Sequence, residues 1–193
     1  MLYINQLEHP HIRYEHNVDN GGVPSERQRV STSGCGLCSL CMVVEHLTMH
    51  TLSIEDCVQL SYDSHANGNI GTDMEFLGPA AAEKFGLQCE RTRDTELLIQ
   101  WLQAGGEAVI NVGGDDENGN GVFTHHGHYI VAVSYENGEF CLLDPSYREN
   151  KFVDNGNAHK VRVNAPFIYC SRQVLEEEAC GKRDLPLYLF KRK

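Results

Sequence analysis

The 193-residue chain lacks several features, and each absence narrows what it can be. It has no stretch of about 18 consecutive apolar residues, so nothing in it reads as a bilayer-spanning helix. Its start, MLYINQLEHPHIRYEHN, lacks a basic segment followed by an apolar one and does not read as a secretory signal. The expected location is cytoplasmic, with secretion left open for a chain whose leader has been removed. Positive charge is scarce: 16 Lys and Arg stand against 27 Asp and Glu, a net −11 with neutral histidines. A surface of that sign repels nucleic acid and anionic lipid, so neither is an expected partner. Repeats, low-complexity tracts and Pro/Ser-rich linkers are also missing. That leaves residues 1–193 as one domain, with 1–33 as a polar, turn-rich arm laid over it. Hydrophobic content of 41% and charged content of 22% suit one globular core.

What is present is a change of hydrophobic period along the chain. Leu37, Leu40, Cys41, Val44 and Leu47 recur on one helical face and predict a helix from Cys35 to about Met49. Ser53 caps a second helix. Thr72 to Glu75 has the form of a capping box before an apolar run through Phe85, with Pro79 expected to kink or restart it and Gly86 to end it. Asp94 opens a fourth helix, through Trp101 and Leu102, that ends at Gly105-Gly106. Beyond this point the pattern is that of strands: 108–112, a polar loop 113–121 expected to be mobile, 128–133, a turn at Glu136-Asn137-Gly138, 140–143, and a last strand over 185–190. Helices first and an antiparallel sheet second predict an α+β domain.

Chemistry concentrates in SGCGLCSLCMVV, where three of eight cysteines fall within seven residues. Cys35, Cys38 and Cys41 have the C-x2-C-x2-C spacing of an iron–sulfur site, but position 45 is Glu and no fourth Cys-Pro follows. On a helix, steps of three and six residues turn the second and third thiols by roughly 300° and 600°, so the three do not converge on one metal. A Cys35–Cys38 dithiol lacks the preceding strand of the thioredoxin context. Cys41 lies on the apolar stripe and reads as core, and Cys38 reads as packing near the site. Cys35 differs: it sits between two glycines at a helix start, where free N–H groups favour a thiolate and a substrate backbone can approach. Those are the requirements of a nucleophile. All eight cysteines are expected to be reduced thiols.

A nucleophilic thiol needs a base, and the base needs an orienting group. Among ten histidines, His46 and His50 are i, i+4 on the first helix and are expected to face solvent. His125, His126 and His128 are close enough in sequence to chelate a metal together. His128 also opens a strand whose hairpin partner ends at Asp144, so the two side chains are placed to hydrogen-bond.

Four segments in order, SGCGLCSLCMVVEHL, NIGTDMEFLGPAAAEKFGL, LLIQWLQAGGEAVINV and GHYIVAVSYENGEFCLLDP, resemble the bacteriocin-processing (double-glycine leader) cysteine peptidases of bacteria and their stand-alone relatives. The resemblance runs from about Gln28 to Pro145. It implies a papain-like α+β fold, an N-terminal helical half packed on a C-terminal antiparallel sheet. It also implies roles: Cys35 as nucleophile, His128 as base and Asp144 as its orienting carboxylate. A glutamine upstream of the cysteine usually completes the oxyanion site, and Gln28 occupies that place. In the stand-alone relatives it often lies further upstream after a tyrosine, where Tyr14-Glu15-His16-Asn17 offers His16 or Asn17 instead. The implied function is hydrolysis of peptide bonds in a peptide or protein substrate through a thioester, without metal or cofactor. The double-glycine preference of the transporter-linked enzymes is not carried over. Two alternatives stand beside it. One is a deamidase, transglutaminase or acyltransferase using the same triad; the other is a degenerate peptide-binding or metal-binding module.

Overall fold

Local caps and apolar stripes account for most of the helices. The computed structural model describes residues 1–15, 28–68, 71–117 and 119–193. A single turn, α1 (Val30–Ser33), leads through Gly34 into α2 (Cys35–Thr48). Leu37, Leu40, Met42 and Val44 of α2 are all fully buried, so this helix is apolar nearly all round and runs through the core. In α3 (Ile54–Asp63) the Ser53 hydroxyl accepts the Asp56 N–H, as its sequence predicts. A small hairpin, β1 (Asn67–Gly68) and β2 (Gly71–Thr72), precedes α4 (Met74–Phe85).

The entry to α4 departs from the expected capping box. Its cap is Asp73, whose carboxylate accepts the Glu75 N–H. Thr72 belongs to β2, and its hydroxyl lies 3.1 Å from the buried Tyr14 hydroxyl. Pro79 does not restart the helix, which runs unbroken to the Gly86 cap at φ 68°. The residue ahead of the proline is Gly78, which has no Cβ and so escapes part of the clash that bars helical conformation there.

The sheet is formed by β3 (Leu87–Thr92), β4 (Glu107–Gly113), β5 (Gly127–Glu136), β6 (Glu139–Leu143), β7 (Val161–Asn164), β8 (Phe167–Ser171) and β9 (Leu187–Arg192). Among the described residues its order is β3-β9-β4-β5-β6-β8-β7, antiparallel throughout. Helix α5 (Thr95–Gln103), capped by Asp94, joins β3 to β4, while α6 (Lys151–Asp154) and α7 (Arg172–Glu178) flank the β7–β8 hairpin. Alternation along the strands divides the interior in two. Val109, Val131 and Leu143 pack with α2, α3 and α4; Ile110, Ile130 and Leu142 pack with α5 and α7. The helical N-terminal half thus covers one face of the sheet, and later helices cover the other.

The arm is bound by its backbone. Arg13 bridges to Arg29, and the Gln6 N–H donates to the Pro145 carbonyl at 2.7 Å. His46 is the point where the solvent-facing expectation is corrected. Its side chain is 5% exposed and lies between Glu107, at 3.0 Å from Nδ1, and the Leu2 carbonyl, at 2.8 Å from Nε2. The two acceptors favour a protonated ring, with hydrogen on both nitrogens. Burial alone would lower its pKa, but the Glu107 charge and the Leu2 carbonyl hold it above the ordinary value.

The glycines around Cys35 also serve packing. A Cβ on Gly36 would stand 2.7 Å from Thr72 Cβ, and one on Gly34 would stand 2.6 Å from the Val30 carbonyl oxygen. Gly36→Ala should therefore lose stability: overpacking costs ~1–3 kcal/mol, against about 1 kcal/mol gained in helix propensity. Urea unfolding checks this, and a variant as stable as the parent would contradict the close packing of α2 on β2.

Candidate active site

Three elements meet at the N-terminus of α2. The first supplies Cys35, which is partly exposed at the mouth of an otherwise buried helix. The second is β5, which carries His128 one residue past its start. The β5–β6 register pairs Val131 with Leu143, so Asp144 follows immediately beyond the last pair and comes within reach of His128. The structure brings these three predicted residues into one line. His128 Nε2 donates to Asp144 Oδ1 at 2.7 Å, which leaves Nδ1 as the ring nitrogen for Cys35, whose thiol lies close enough to feel the imidazole charge.

Burial and charge oppose each other at every member of this line. Burial pushes the Cys35 thiol up. The His128 charge, its hydrogen bond and the Tyr129 and Gly36 N–H groups outweigh that and hold the thiol below its ordinary value. Burial pushes His128 down, but the charges of Asp144 and Cys35 raise it to about 9. Burial would raise Asp144, yet the Lys151 and His128 charges keep it well below the usual carboxylate range. Each shift favours the charged form, thiolate at Cys35, imidazolium at His128 and carboxylate at Asp144. By contrast, burial raises the Cys38 thiol, and Cys41 is raised by its hydrogen bond with Cys57 and by burial, so these two neighbours stay protonated. All eight cysteines are free thiols.

Several groups around Asp144 carry no signal in the sequence. Ser146 donates its N–H (2.8 Å) and its hydroxyl (3.0 Å) to Asp144 Oδ1. Lys151 Nζ donates to Asp144 Oδ2 at 2.5 Å and to Ser146 Oγ at 2.8 Å. From the arm, the Tyr3 hydroxyl donates to the Asp144 carbonyl at 2.8 Å, and the Asn5 side-chain amide donates to the Tyr147 carbonyl at 2.8 Å. The one sequence-level hint is a lysine shortly after Asp-Pro, which alone says nothing of burial.

The oxyanion candidates all belong to residues 1–33. Gln28 is half-buried where the arm pairs with itself, its carbonyl accepting the Tyr14 N–H at 3.0 Å. His16 and Asn17 lie outside the described residues. A glutamine that the motif reading passed over, Gln6, is buried beside the site: its amide donates to the Ser31 carbonyl at 3.1 Å, and its Oε1 has no partner among the described residues. His125 pairs with Asp115 at 3.0 Å, away from His128. The 113–121 loop, expected to be mobile, is fastened at Gly121 N–H to Asp115, at the Gly114 carbonyl to Lys182 and, just past its end, at Val122 N–H to Glu178. No cluster of three or more metal-ligating side chains occurs among the described residues.

No protein-family model matches the chain, and no curated protein matches it. Solved structures do. A C39-like peptidase from Bacillus anthracis superposes with a TM-score of 0.56 at 16% identity, covering 83% of this chain and 88% of its own. The peptidase domain of Streptococcus ComA, a bifunctional ABC transporter of a quorum-sensing pathway, gives 0.54 at 16% identity over 95% of this chain and 100% of its own. A double-glycine-motif protease from an AMS/PCAT transporter, in complex with its leader peptide, gives 0.50 at 15% identity over 95% and 96%. No helix among the described residues is long and apolar enough to cross a membrane. At the level of fold, the chain is a papain-like α+β domain of the kind seen in C39-like and double-glycine-processing peptidases.

Proposed function

We propose that the protein is a cysteine peptidase that hydrolyses peptide bonds through Cys35, His128 and Asp144. The observation that carries this reading is the 2.7 Å His128–Asp144 hydrogen bond beside Cys35, with the thiol held below its ordinary pKa at the first turn of a buried helix. The Cys35 thiolate attacks the substrate carbonyl, and a thioester replaces the amide. The developing oxyanion is met by the Cys35 N–H, one of the first-turn donors that have no partner within the helix. His128 gives its Nδ1 proton to the leaving amine. It then takes a proton from the water that cleaves the thioester. Asp144 keeps Nε2 protonated and the ring fixed. A peptide substrate is supported by the fold neighbour that holds its leader peptide.

The side-chain oxyanion donor is Gln28 in this reading, with Gln6 as rival because its amide lies against Ser31, four residues before Cys35. Loss of the true donor should lower kcat by about 10²–10³-fold. Gln28→Ala and Gln6→Ala, compared on the same peptide, identify it: the variant with unchanged kcat is not the donor.

The primary experiment digests a mixed peptide library and reads the products by mass spectrometry. Wild-type protein should generate new termini, and Cys35→Ala should generate none while unfolding at an unchanged urea midpoint. Undiminished cleavage by Cys35→Ala would remove the assignment. Independently of any substrate, iodoacetamide at pH 6 should label Cys35 selectively, because a free thiol with a pKa of about 8.5 is almost wholly protonated there. Equal labelling of Cys35, Cys89 and Cys180 would count against the ion pair.

A further inference from the structure

Lysine is seldom buried, because few sites replace the hydration its ammonium loses. Lys151 is nevertheless only 7% exposed. It opens α6, and its Nζ meets Asp144 Oδ2 at 2.5 Å and Ser146 Oγ at 2.8 Å. The other oxygen of the same carboxylate takes His128 Nε2 at 2.7 Å. One buried negative charge is thus shared by two basic side chains, Lys151 behind it and His128 in front.

A tether alone does not need a lysine. Ser146 already holds Oδ1 with its N–H and its hydroxyl, and a neutral donor would serve Oδ2. What the ammonium adds is charge. We propose that Lys151 is a positioning residue that competes with His128 for the charge of Asp144 and so sets the pH range over which Cys35 is kept as a thiolate. The inference rests on the roles given above to Cys35 and His128.

The groups facing His128 are few, which makes the sign clear. Cys35 comes from α2, Asp144 and Ser146 follow β6, and Lys151 lies behind them on α6. The neighbouring phenols, Tyr3 of the arm and Tyr129 of β5, are pushed well up by burial and stay neutral. A fixed cation on the far side of Asp144 disfavours a second proton charge on His128, so removing it raises the imidazole pKa. A charge one carboxylate away is worth roughly one unit, a tenfold change in proton affinity.

Iodoacetate, an anion, reports this directly in Cys35 alkylation resolved by mass spectrometry. It reacts fastest with a thiolate beside a cation, so the rate rises as Cys35 ionises and falls as His128 loses its proton. In Lys151→Met and Lys151→Gln the alkaline limb should move up by about one pH unit, with the Gln variant keeping a hydrogen-bond donor to Asp144. An unmoved limb in both overturns the proposal. So does a shift in Met that Gln restores to the wild-type position, since that is the behaviour of a tether. Should neither variant fold, Asp144→Asn is compared with Asp144→Asn/Lys151→Met, which replaces the buried ion pair as a whole. The double variant must show the higher limb by about one unit, and equal limbs overturn the proposal. A wild-type profile with no alkaline limb, and with Cys35 reacting as an ordinary thiol, defeats the peptidase reading itself. A normal wild-type bell with unmoved variants defeats only the role of Lys151.

Discussion

The buried carboxylate of Asp144 is the constraint around which the site is built. A charge with no exposure to solvent is tolerable only if every lone pair is met. Here the partners come from separate parts of the chain: His128 from β5, Ser146 from the loop after β6, and Lys151 from α6. The same segment is held through its main chain by the N-terminal arm, with Tyr3 on the Asp144 carbonyl and Gln6 on that of Pro145. Each contact fixes the orientation of the next, so the His128 ring is pointed at α2 by the residues that hold Asp144.

Two buried charge clusters tie separate elements of this small domain together. Asp144, Lys151 and His128 tie the sheet to the segment after it, while His46 and Glu107 tie α2 to β4 and, through the Leu2 carbonyl, to the arm. The arm is therefore part of the architecture of the proposed site. It spans from the His46 clamp at Leu2 to the Asp144 loop at Tyr3, Asn5 and Gln6. Residues so close together in sequence reach toward both ends of α2, whose glycine start is pressed against Thr72.

Much of this was legible in the sequence wherever the signal is local. The α2 stripe, the Ser53 and Asp94 caps, the Gly86 stop, β4 to β6 and β9 are read from period and cap chemistry alone. His128 and Asp144 were legible as a pair because a hairpin places its two ends side by side, and their side chains do hydrogen-bond; Cys35 was legible from its glycines at a helix start. The edge strands were not. β7 is four residues long and largely exposed, and β3 carries Glu90 and Arg91 in its middle, so neither shows a buried stripe. His46 was misread because its partner, Glu107, is 61 residues away. Lys151 and Gln6 were missed for the same reason: only the fold reveals what a polar side chain is buried against. Thr72 lost the cap to Asp73 because β2 claims its backbone first.

The central claim is that Cys35 and His128 form an ion pair sustained by Asp144. The most direct measurement is the protonation of the His128 ring, followed by nitrogen NMR of protein labelled in histidine. Both ring nitrogens should carry hydrogen at pH 7, with a midpoint near the value of about 9 that Asp144 and Cys35 impose. That midpoint should drop in Cys35→Ala, where the thiolate is gone. A His128 ring that is neutral at pH 7 and titrates near the ordinary value of about 6.5, indifferent to Cys35, would contradict the account.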